Sequence, residues 1–333
     1  MNDEKAPDPD VVPLLGLVGP WGIGQFALGQ TTRAVLWFAV PSALLFLGAL
    51  SLPWLGRLLG YGWAFGLGSA GLLVTWAASV VDAHWIPDAK VRRVSPMAVV
   101  AYWLIGVAYV LYVRVPMRAQ LLESNTIGTD ALEPTLVRGD HVLSDKVALR
   151  LRAPKRGDFV IFKNPSGPRD FVSRVIAIPG DTLRVKRGHP WLNGWEVPYC
   201  VVGAATTSAD VSGELDVEFV DGAAYLTFYG DGAGARDDQG PYTVDGHEVW
   251  TLGDDRTHLP ASNVSLDGEM GLPLFRWETG ADGHIDWSRY GTSIADPLLP
   301  PTMRPLEAEL KKCLAERPPR EKTTPPRGPL PGT

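Results

Sequence analysis

The sequence predicts N-terminal transmembrane α-helices followed by a β domain. The first third of the chain holds three uncharged apolar runs, each of about 20 residues, the length that a helix needs to cross a bilayer core. From residue 126 to about 294, short apolar runs instead alternate with turns rich in Gly and Pro, which is typical of β-strands. A chain of 333 residues has room for one membrane region and one soluble domain.

The predicted spans lie at about residues 34–55, 58–81 and 94–113. Trp and Tyr residues occur near their ends, where amphipathic rings prefer the membrane interface. The preceding segment, 11–30, is uncharged but interrupted by several Gly and Pro residues, which disfavour a helix. We therefore interpret it as juxtamembrane or interfacial, and a further span there is the alternative.

The orientation follows from the basic residues of two loops. Lys90, Arg92 and Arg93 lie between the second and third spans, whereas the loop between the first and second carries only Arg57. Basic loops stay in the cytoplasm. The sequence therefore predicts a multi-pass membrane protein, with its soluble domain on the extracytoplasmic side.

The chain is thus divided into four parts. Residues 1–33 form a cytoplasmic or juxtamembrane segment, and 34–113 form the membrane region. Residues 114–300 form the β domain, in which the small polar stretches 204–213 and 230–240 are expected to be loops. Residues 301–333 form a short helix and a Pro-rich tail, expected to be disordered because it lacks apolar anchors.

Composition excludes several classes of function. The net charge of −6 argues against a nucleic-acid partner. The histidines of the soluble region show no metal-ligand spacing, so we expect neither a metal site nor a cofactor. The two cysteines, Cys200 and Cys313, could form one bridge, but two free thiols are favoured because Cys313 lies near the expected mobile tail.

A series of motifs occurs in a fixed order between residues 126 and 291. They are Glu133-Pro134-Thr135-Leu136, Gly139-Asp140, Lys146, Arg156-Gly157-Asp158, Arg174 to Asp181, Leu192-Asn193-Gly194 and Gly253-Asp254-Asp255-Arg256. In this order and spacing they resemble the bacterial type I signal peptidase (leader peptidase) family.

The resemblance implies a mostly antiparallel, signal-peptidase-like β domain on the extracytoplasmic or periplasmic side, resting on the outer face of the plasma (inner) membrane. It implies a serine endopeptidase that removes signal peptides from exported proteins. The serine attacks, a desolvated neutral lysine takes its proton, and a hydroxyl and a backbone N–H stabilise the oxyanion. The implied partners are membrane lipid and a signal peptide or preprotein, bound in an extended conformation.

This sequence departs from that pattern at both catalytic positions. Aligned on Pro134-Thr135, the family's nucleophilic serine falls on Ala131, and its general-base lysine falls on Ser173. A methyl group cannot attack a carbonyl, and a serine hydroxyl is no base near neutral pH. The serine that contributes to the oxyanion hole matches Thr129. The resemblance therefore implies a member that lacks the Ser/Lys dyad.

Other residues of the motifs are candidates for supporting roles. Asp254 and Arg256 are expected to brace the floor of the cleft, through a buried or local ion pair. A further set flanks the catalytic positions and supplies candidate peptide-binding residues: Leu132, Pro134, Val172 and Arg174.

Three hypotheses remain open at this point. The first is an inactive family member that binds signal peptides or preproteins, or partners an active peptidase. The second is an active signal peptidase with a relocated dyad. Its candidates are Thr129 or Ser124 as nucleophile and Lys146, Lys163 or His141 as base. The third is a protein with a purely structural role in membrane assembly.

Overall fold

The computed structural model describes most of the chain. The described residues are 15–17, 19–87, 91–92, 94–115, 120–163, 170–231, 238–257, 261–268, 270–278 and 286–328. The chain separates into two compact units, Met1–Leu122 and Glu123–Thr333. Each unit is described by itself below.

The first unit is helical. Its elements are α1 (Ile23–Ala27), α2 (Thr31–Leu59), α3 (Tyr61–His84), and α4 (Pro96–Tyr109) with a π-helical continuation at Val110–Arg114. Three of these, Thr31–Leu59, Tyr61–His84 and Pro96–Arg114, are long and apolar enough to cross a membrane. The prediction of three apolar N-terminal helices is confirmed.

The Gly-rich segment before α2 packs inside this unit. Its helix α1 has five residues, too few to cross a bilayer. Gln25 donates hydrogen bonds to the Ser79 carbonyl at 2.6 Å and to Asp82 at 3.1 Å. Asp82 also accepts from Trp37 at 2.9 Å and pairs with Arg33 at 3.1 Å. These contacts hold the segment against α3.

The second unit is built from three sheets. Its strands are β1 (Leu122–Thr126), β2 (His141–Asp145), β3 (Phe159–Phe162), β4 (Phe171–Ala177), β5 (Thr182–Lys186), β6 (His189–Leu192), β7 (Trp195–Glu196), β8 (Tyr199–Thr206), β9 (Ser212–Val220), β10 (Ala223–Gly230), β11 (Gln239–Thr243), β12 (Glu248–Leu252), β13 (Ser262–Ser265) and β14 (Met270–Glu278). The sheet orders are β1-β2-β14-β3-β4-β12-β13, β10-β9-β8 and β11-β5-β6-β7. In the seven-stranded sheet, the neighbouring strands β2-β14, β14-β3, β3-β4, β4-β12 and β12-β13 are all antiparallel. The predicted fold class is therefore confirmed.

Short helices complete this unit. They are α5 (Ala148–Leu151), a 3₁₀ turn at Pro301–Leu306, α6 (Glu307–Ala315) and α7 (Arg320–Thr323). Helix α6 packs Leu310 against buried residues of β9 and β10, among them Leu215 and Leu226. The helix Glu307–Ala315 lies within residues 301–333, where a short helix was expected.

The two cysteines form a disulfide, which corrects the expectation of free thiols. Cys200 lies on β8 and Cys313 on α6, and the two are joined across 113 residues of sequence. The expectation placed Cys313 beside a mobile tail. Instead α6 is docked on the sheet that contains β8, and this docking brings the two sulfur atoms together.

The Pro-rich tail also differs from its expectation as far as it is described, which is to residue 328. Thr323 is fully buried, and its carbonyl accepts a hydrogen bond from the Asp221 N–H at 2.9 Å. The Pro326 carbonyl accepts one from Asn193 at 2.7 Å. Backbone hydrogen bonds to the turns of the β domain thus order a stretch that has few apolar anchors; residues 329–333 lie outside the described part.

The stretches expected as loops are partly strand. β8 extends to Thr206 and β9 begins at Ser212, which leaves a short turn where a loop over 204–213 was expected. A Cβ on Gly213 would lie 2.2 Å from the Tyr229 carbonyl oxygen, so the small residue permits close strand approach. In the second stretch, 232–237 lie outside the described residues and β11 begins at Gln239.

Candidate functional site

The segment between β1 and β2 carries the first catalytic position. Its ends are closed by hydrogen bonds of 2.8 Å between Ile127 and Asp140 and between Gly139 and Ile127. Leu132 and Leu136 are fully buried beside Val142 of β2 and other core residues. Since these leucines are anchored in the core, the backbone that connects them is held against the sheet.

A buried ion pair lies beneath this segment. Arg174 of β4 donates from Nε to Asp254 Oδ1 and from Nη2 to Oδ2, at 2.6 Å each. Its Nη1 donates to the Gly157 carbonyl at 2.8 Å, and the Thr135 hydroxyl donates to Asp254. The guanidinium also lies 3.9 Å from the ring centre of Phe159. Both charges are therefore compensated, as burial requires.

Ala131 and Ser173 are each connected through the backbone to a member of this ion pair. The Ala131 carbonyl accepts a hydrogen bond from the Asp255 N–H at 3.2 Å, next to Asp254 in the chain. Ser173 directly precedes Arg174 on β4 and pairs with Val160 of β3. The two positions thus lie on segments joined through the Arg174–Asp254 contact. Their equivalence to a nucleophile and a base stays a prediction.

Thr129 lies where an oxyanion-binding hydroxyl is predicted. Its Oγ1 accepts a hydrogen bond from the Ala131 N–H at 3.2 Å. The hydroxyl and the N–H that would bind an oxyanion are therefore bonded to each other in this structure. The Ala131 N–H would have to leave Thr129 before binding a carbonyl oxygen, whereas the Thr129 O–H can donate while its oxygen accepts this bond.

The bracing residues are both buried, but they are not paired with each other as a local ion pair would require. Asp254 pairs with Arg174, whereas Arg256 pairs with Glu218 of β9 at 3.0 Å. Each finds its partner on a different strand: β4 supplies Arg174 to Asp254, and β9 supplies Glu218 to Arg256.

The buried hydroxyl of Tyr229 holds the Glu218 carboxylate in place through a hydrogen bond. Tyr229 donates to Glu218 at 2.5 Å, and Tyr229 Oη contacts His189 Nδ1 at 3.1 Å. The pKa of Tyr229 is raised well above its usual value, mainly by burial and secondly by the negative charge of Glu218. The phenol therefore stays protonated and donates to the carboxylate, which in turn orients Arg256.

A second layer of arginine side chains lies under the same segment. Arg289 donates two hydrogen bonds to Asp140, at 3.0 and 2.8 Å. Arg276 donates to the Thr135 carbonyl at 2.5 Å, and Arg289 donates to it at 3.2 Å. The pKa of Arg276 is lowered to about 9, mainly by burial and secondly by the positive charge of Arg289. These arginines fix the backbone at Thr135.

The four candidate peptide-binding side chains are less accessible than expected. Leu132, Pro134 and Arg174 are buried, and Val172 is partly buried against the same core cluster as Leu132. The apolar side of the segment turns inward, and Arg174 is committed to Asp254. A peptide would therefore meet the backbone and the small side chains near Ala131 and Thr129.

The residues considered for a relocated dyad have other partners. Ser124 accepts a hydrogen bond from Trp277 at 2.8 Å. Lys146 forms an ion pair with Glu123 at 2.8 Å, and Lys163 forms one with Asp170 at 3.0 Å. His141 Nδ1 lies 3.4 Å from the Thr126 hydroxyl.

One pairing escaped the sequence analysis. Ser208, in the turn between β8 and β9, donates from Oγ to Glu133 Oε2 at 2.8 Å and from its backbone N–H to Oε1 at 2.9 Å. Burial raises the pKa of Glu133. Because 75 residues separate the partners, no local motif could have indicated this contact.

Comparison with known proteins gives a consistent result. The profile of the family described as "Signal peptidase, peptidase S26" matches residues 99–267, about half of the chain. A probable signal peptidase I-2 of Synechocystis is 35% identical over 85 residues, which are 23% of this chain and 38% of that protein. A signal peptidase I of Pseudomonas aeruginosa is 33% identical over 28% of this chain and 38% of its own.

A longer alignment at lower identity extends the similarity. Signal peptidase I P of Bacillus subtilis subsp. natto is 25% identical over 175 residues, which cover 52% of this chain and 80% of that protein. In contrast, the chain spans between 27% and 47% of the length of the first four relatives. The family match therefore covers most of the β domain and most of the last apolar helix, Pro96–Arg114.

Proposed function

The chain belongs to the peptidase S26 signal peptidase family, and from this membership we propose a membrane protein that binds signal peptides or exported preproteins without cleaving them. It acts alone or beside an active peptidase. The observation that carries the proposal is the pair Ala131 and Ser173, which lie on segments joined by one buried ion pair. On this proposal the fold and this ion pair remain, while the reacting groups are replaced.

The chemistry explains why hydrolysis would be lost. An acyl-enzyme step needs a nucleophile and a neighbouring base, and the side chains at these positions are a methyl group and a neutral hydroxyl. The Ala131 N–H is also bonded to Thr129. Removal of a single oxyanion donor costs about 10²–10³ in rate, so the arrangement disfavours turnover on several grounds.

Binding needs none of these groups. Strand β1 lies at one end of the seven-stranded sheet, and the segment with Thr129 and Ala131 follows it. An end strand can pair with an extended peptide through backbone hydrogen bonds. The small side chains at 129 and 131 leave room for the small residues of a signal-peptide end.

Two observations support an extracytoplasmic position for the β domain at the plasma membrane. The loop between the second and third apolar helices carries the basic residues Lys90, Arg92 and Arg93, which favour the cytoplasmic side. The disulfide between Cys200 and Cys313 fits an oxidising compartment.

A second candidate function is an active peptidase with a relocated dyad. The Ser208–Glu133 pair favours it, because a serine hydroxyl donates to a carboxylate whose pKa burial raises. Against it, the same carboxylate accepts the Ser208 backbone N–H, which also explains the contact as an anchor for the β8–β9 turn. Cleavage abolished by Ser208→Ala would establish this candidate.

The proposal is tested by photocrosslinking in the full chain, reconstituted in liposomes. A benzophenone amino acid replaces Thr129, and the matched control places it at Leu151, which is 81% exposed in the same unit. We expect a signal peptide, but not its scrambled version, to crosslink at 129 and not at 151. Equal labelling by both peptides would overturn peptide binding and leave the structural role.

A cleavage assay with a preprotein completes the test. The chain is expected to leave it intact under conditions in which an ordinary signal peptidase processes it. Specific crosslinking together with processing at a small-x-small site would retain the binding half of the proposal and refute the catalytic half.

A further inference from the structure

The helical unit contains a groove whose lining includes none of the candidate site residues named above. Its volume is about 830 Å³, within the range of small-molecule binding sites. The lining is apolar and aromatic, and includes Phe38, Trp76, Trp103 and Leu111. It is formed by residues of α2, α3 and α4 together with Gly19, Pro20 and Trp21 of the Gly-rich segment.

Specific contacts build the wall that the Gly-rich segment supplies. Trp76 donates to the Gly16 carbonyl at 3.1 Å, and Tyr102 donates to the Trp21 carbonyl at 2.8 Å. A Cβ on Gly106 would lie 2.5 Å from the Pro20 ring. Gly106 therefore lets Pro20 approach α4 closely, and the segment closes one side of the groove.

The only charge among the described lining residues is at one end. Arg114 is the last residue of the third apolar helix. On α3 the lining extends from Ser69 to Trp76, a rise of about 10 Å. Since consecutive spans alternate in direction, Arg114 lies on the side of the membrane where α3 begins. The groove therefore runs from a cation at the interface toward the membrane interior.

We propose that this groove binds one acyl chain of an anionic phospholipid, with the phosphate at Arg114. An apolar channel with a single cation at its interfacial end matches a ligand that has an apolar tail and one anionic head. A guanidinium near the membrane surface attracts anionic lipid by about 1 kcal/mol, or about fivefold in binding. The Gly-rich segment thereby acquires a function, as a wall of the lipid site.

The test uses the full chain in phosphatidylcholine nanodiscs doped with phosphatidylglycerol that carries a diazirine on one acyl chain. After irradiation, mass spectrometry locates the adducts. We expect them to concentrate on the groove, around Trp21, Trp76 and Trp103. Arg114→Gln should lower their yield about fivefold. The matched control is Arg57→Gln, an exposed arginine at the end of α2 on the same side and outside the lining.

A second pair of variants tests the groove itself. Val107→Trp fills it, whereas Leu67→Trp adds the same ring at a position that is 59% exposed and outside the lining. Only Val107→Trp should reduce the yield of lipid adducts on the groove. Adducts spread evenly over the apolar helices, or equal effects of Arg114→Gln and Arg57→Gln, would overturn the proposal. Displacement of the lipid by a signal-peptide helix would assign the groove to a polypeptide and overturn it as well.

Discussion

Arg174 and Asp254 meet through two parallel hydrogen bonds of 2.6 Å, with both side chains almost completely buried. The contact joins β4, which carries Ser173, to the segment whose next residue, Asp255, binds the Ala131 carbonyl. If residues 131 and 173 supply neither a nucleophile nor a base, as we propose, this pair has no reacting group to orient. We then expect its role to be to keep the two segments together.

Loss of this pair is expected to destabilise the β domain strongly. Asp254→Asn leaves the Arg174 charge buried without its counter-ion, which costs about 3 kcal/mol or more. The unfolding free energy of the full chain in mild detergent, measured by chemical denaturation, checks this. Arg138→Gln is the matched control, because it breaks an exposed pair with Asp130 and should leave the transition unchanged. Equal effects of the two variants would contradict a bracing role.

Restoring the missing groups should require both of them. Ala131→Ser alone is expected to remain inactive toward a preprotein, since a serine without a base is a poor nucleophile. Adding Ser173→Lys should produce cleavage above that background. Ser173 is partly buried, and burial favours a neutral amine.

The control for this restoration is Ala131→Ser combined with Ser173→Met, which fills the position without supplying a base. Cleavage by Ala131→Ser alone would show that another base already faces residue 131, and the inference of a silent site would fail.

The sequence predicted the helices and the sheet better than the contacts between distant segments. Uninterrupted apolar runs predict spans because each depends only on local composition, and Thr31–Leu59 contains the predicted 34–55. The disulfide between Cys200 and Cys313 depends instead on α6 docking against β8 and β9. Composition likewise could not indicate that the Asp221 N–H donates a hydrogen bond to the Thr323 carbonyl.

The candidate site shows the same division. The motif order brings Ala131, Ser173 and Asp254 onto joined segments. The partner of Arg256 was missed, because Glu218 lies on a strand with no motif of its own. Burial of the candidate peptide-binding residue Leu132 follows from the fold of the segment around it, which alternating residue types alone do not reveal.

The disulfide should contribute substantially to the stability of the β domain. It closes a loop of 113 residues, for which chain entropy in the unfolded state corresponds to about 4–5 kcal/mol as an upper value. The double variant Cys200→Ser/Cys313→Ser is expected to unfold at a lower denaturant concentration than the oxidised parent. A reductant should shift the parent by a similar amount and leave the double variant unchanged. A parent that does not respond to the reductant would contradict the assignment.

Glu133 should make the β domain less stable as the pH rises. Burial raises the pKa of its carboxyl group in the folded chain, and the nearby Asp130 and Asp255 add to the shift, which hydrogen bonds from Ser208 partly oppose. The folded state therefore holds the proton more tightly than the unfolded chain, in which the pKa is about 4.3. The resulting stabilisation is complete below that value and is lost as the pH rises through the folded-state pKa.

Glu133→Gln tests this sign, because the amide cannot ionise and its oxygen can still accept a hydrogen bond from Ser208. The stability of the variant relative to the parent should increase as the pH is raised from about 4 toward neutrality. Glu307→Gln is the opposing control. Lys311 lowers the pKa of Glu307. The stability of Glu307→Gln relative to the parent should therefore decrease as the pH rises from about 4 toward neutrality. If the stability difference between Glu133→Gln and the parent does not change with pH, Ser208 stabilises the carboxylate as fully as water does. Burial of Glu133 would then carry no cost.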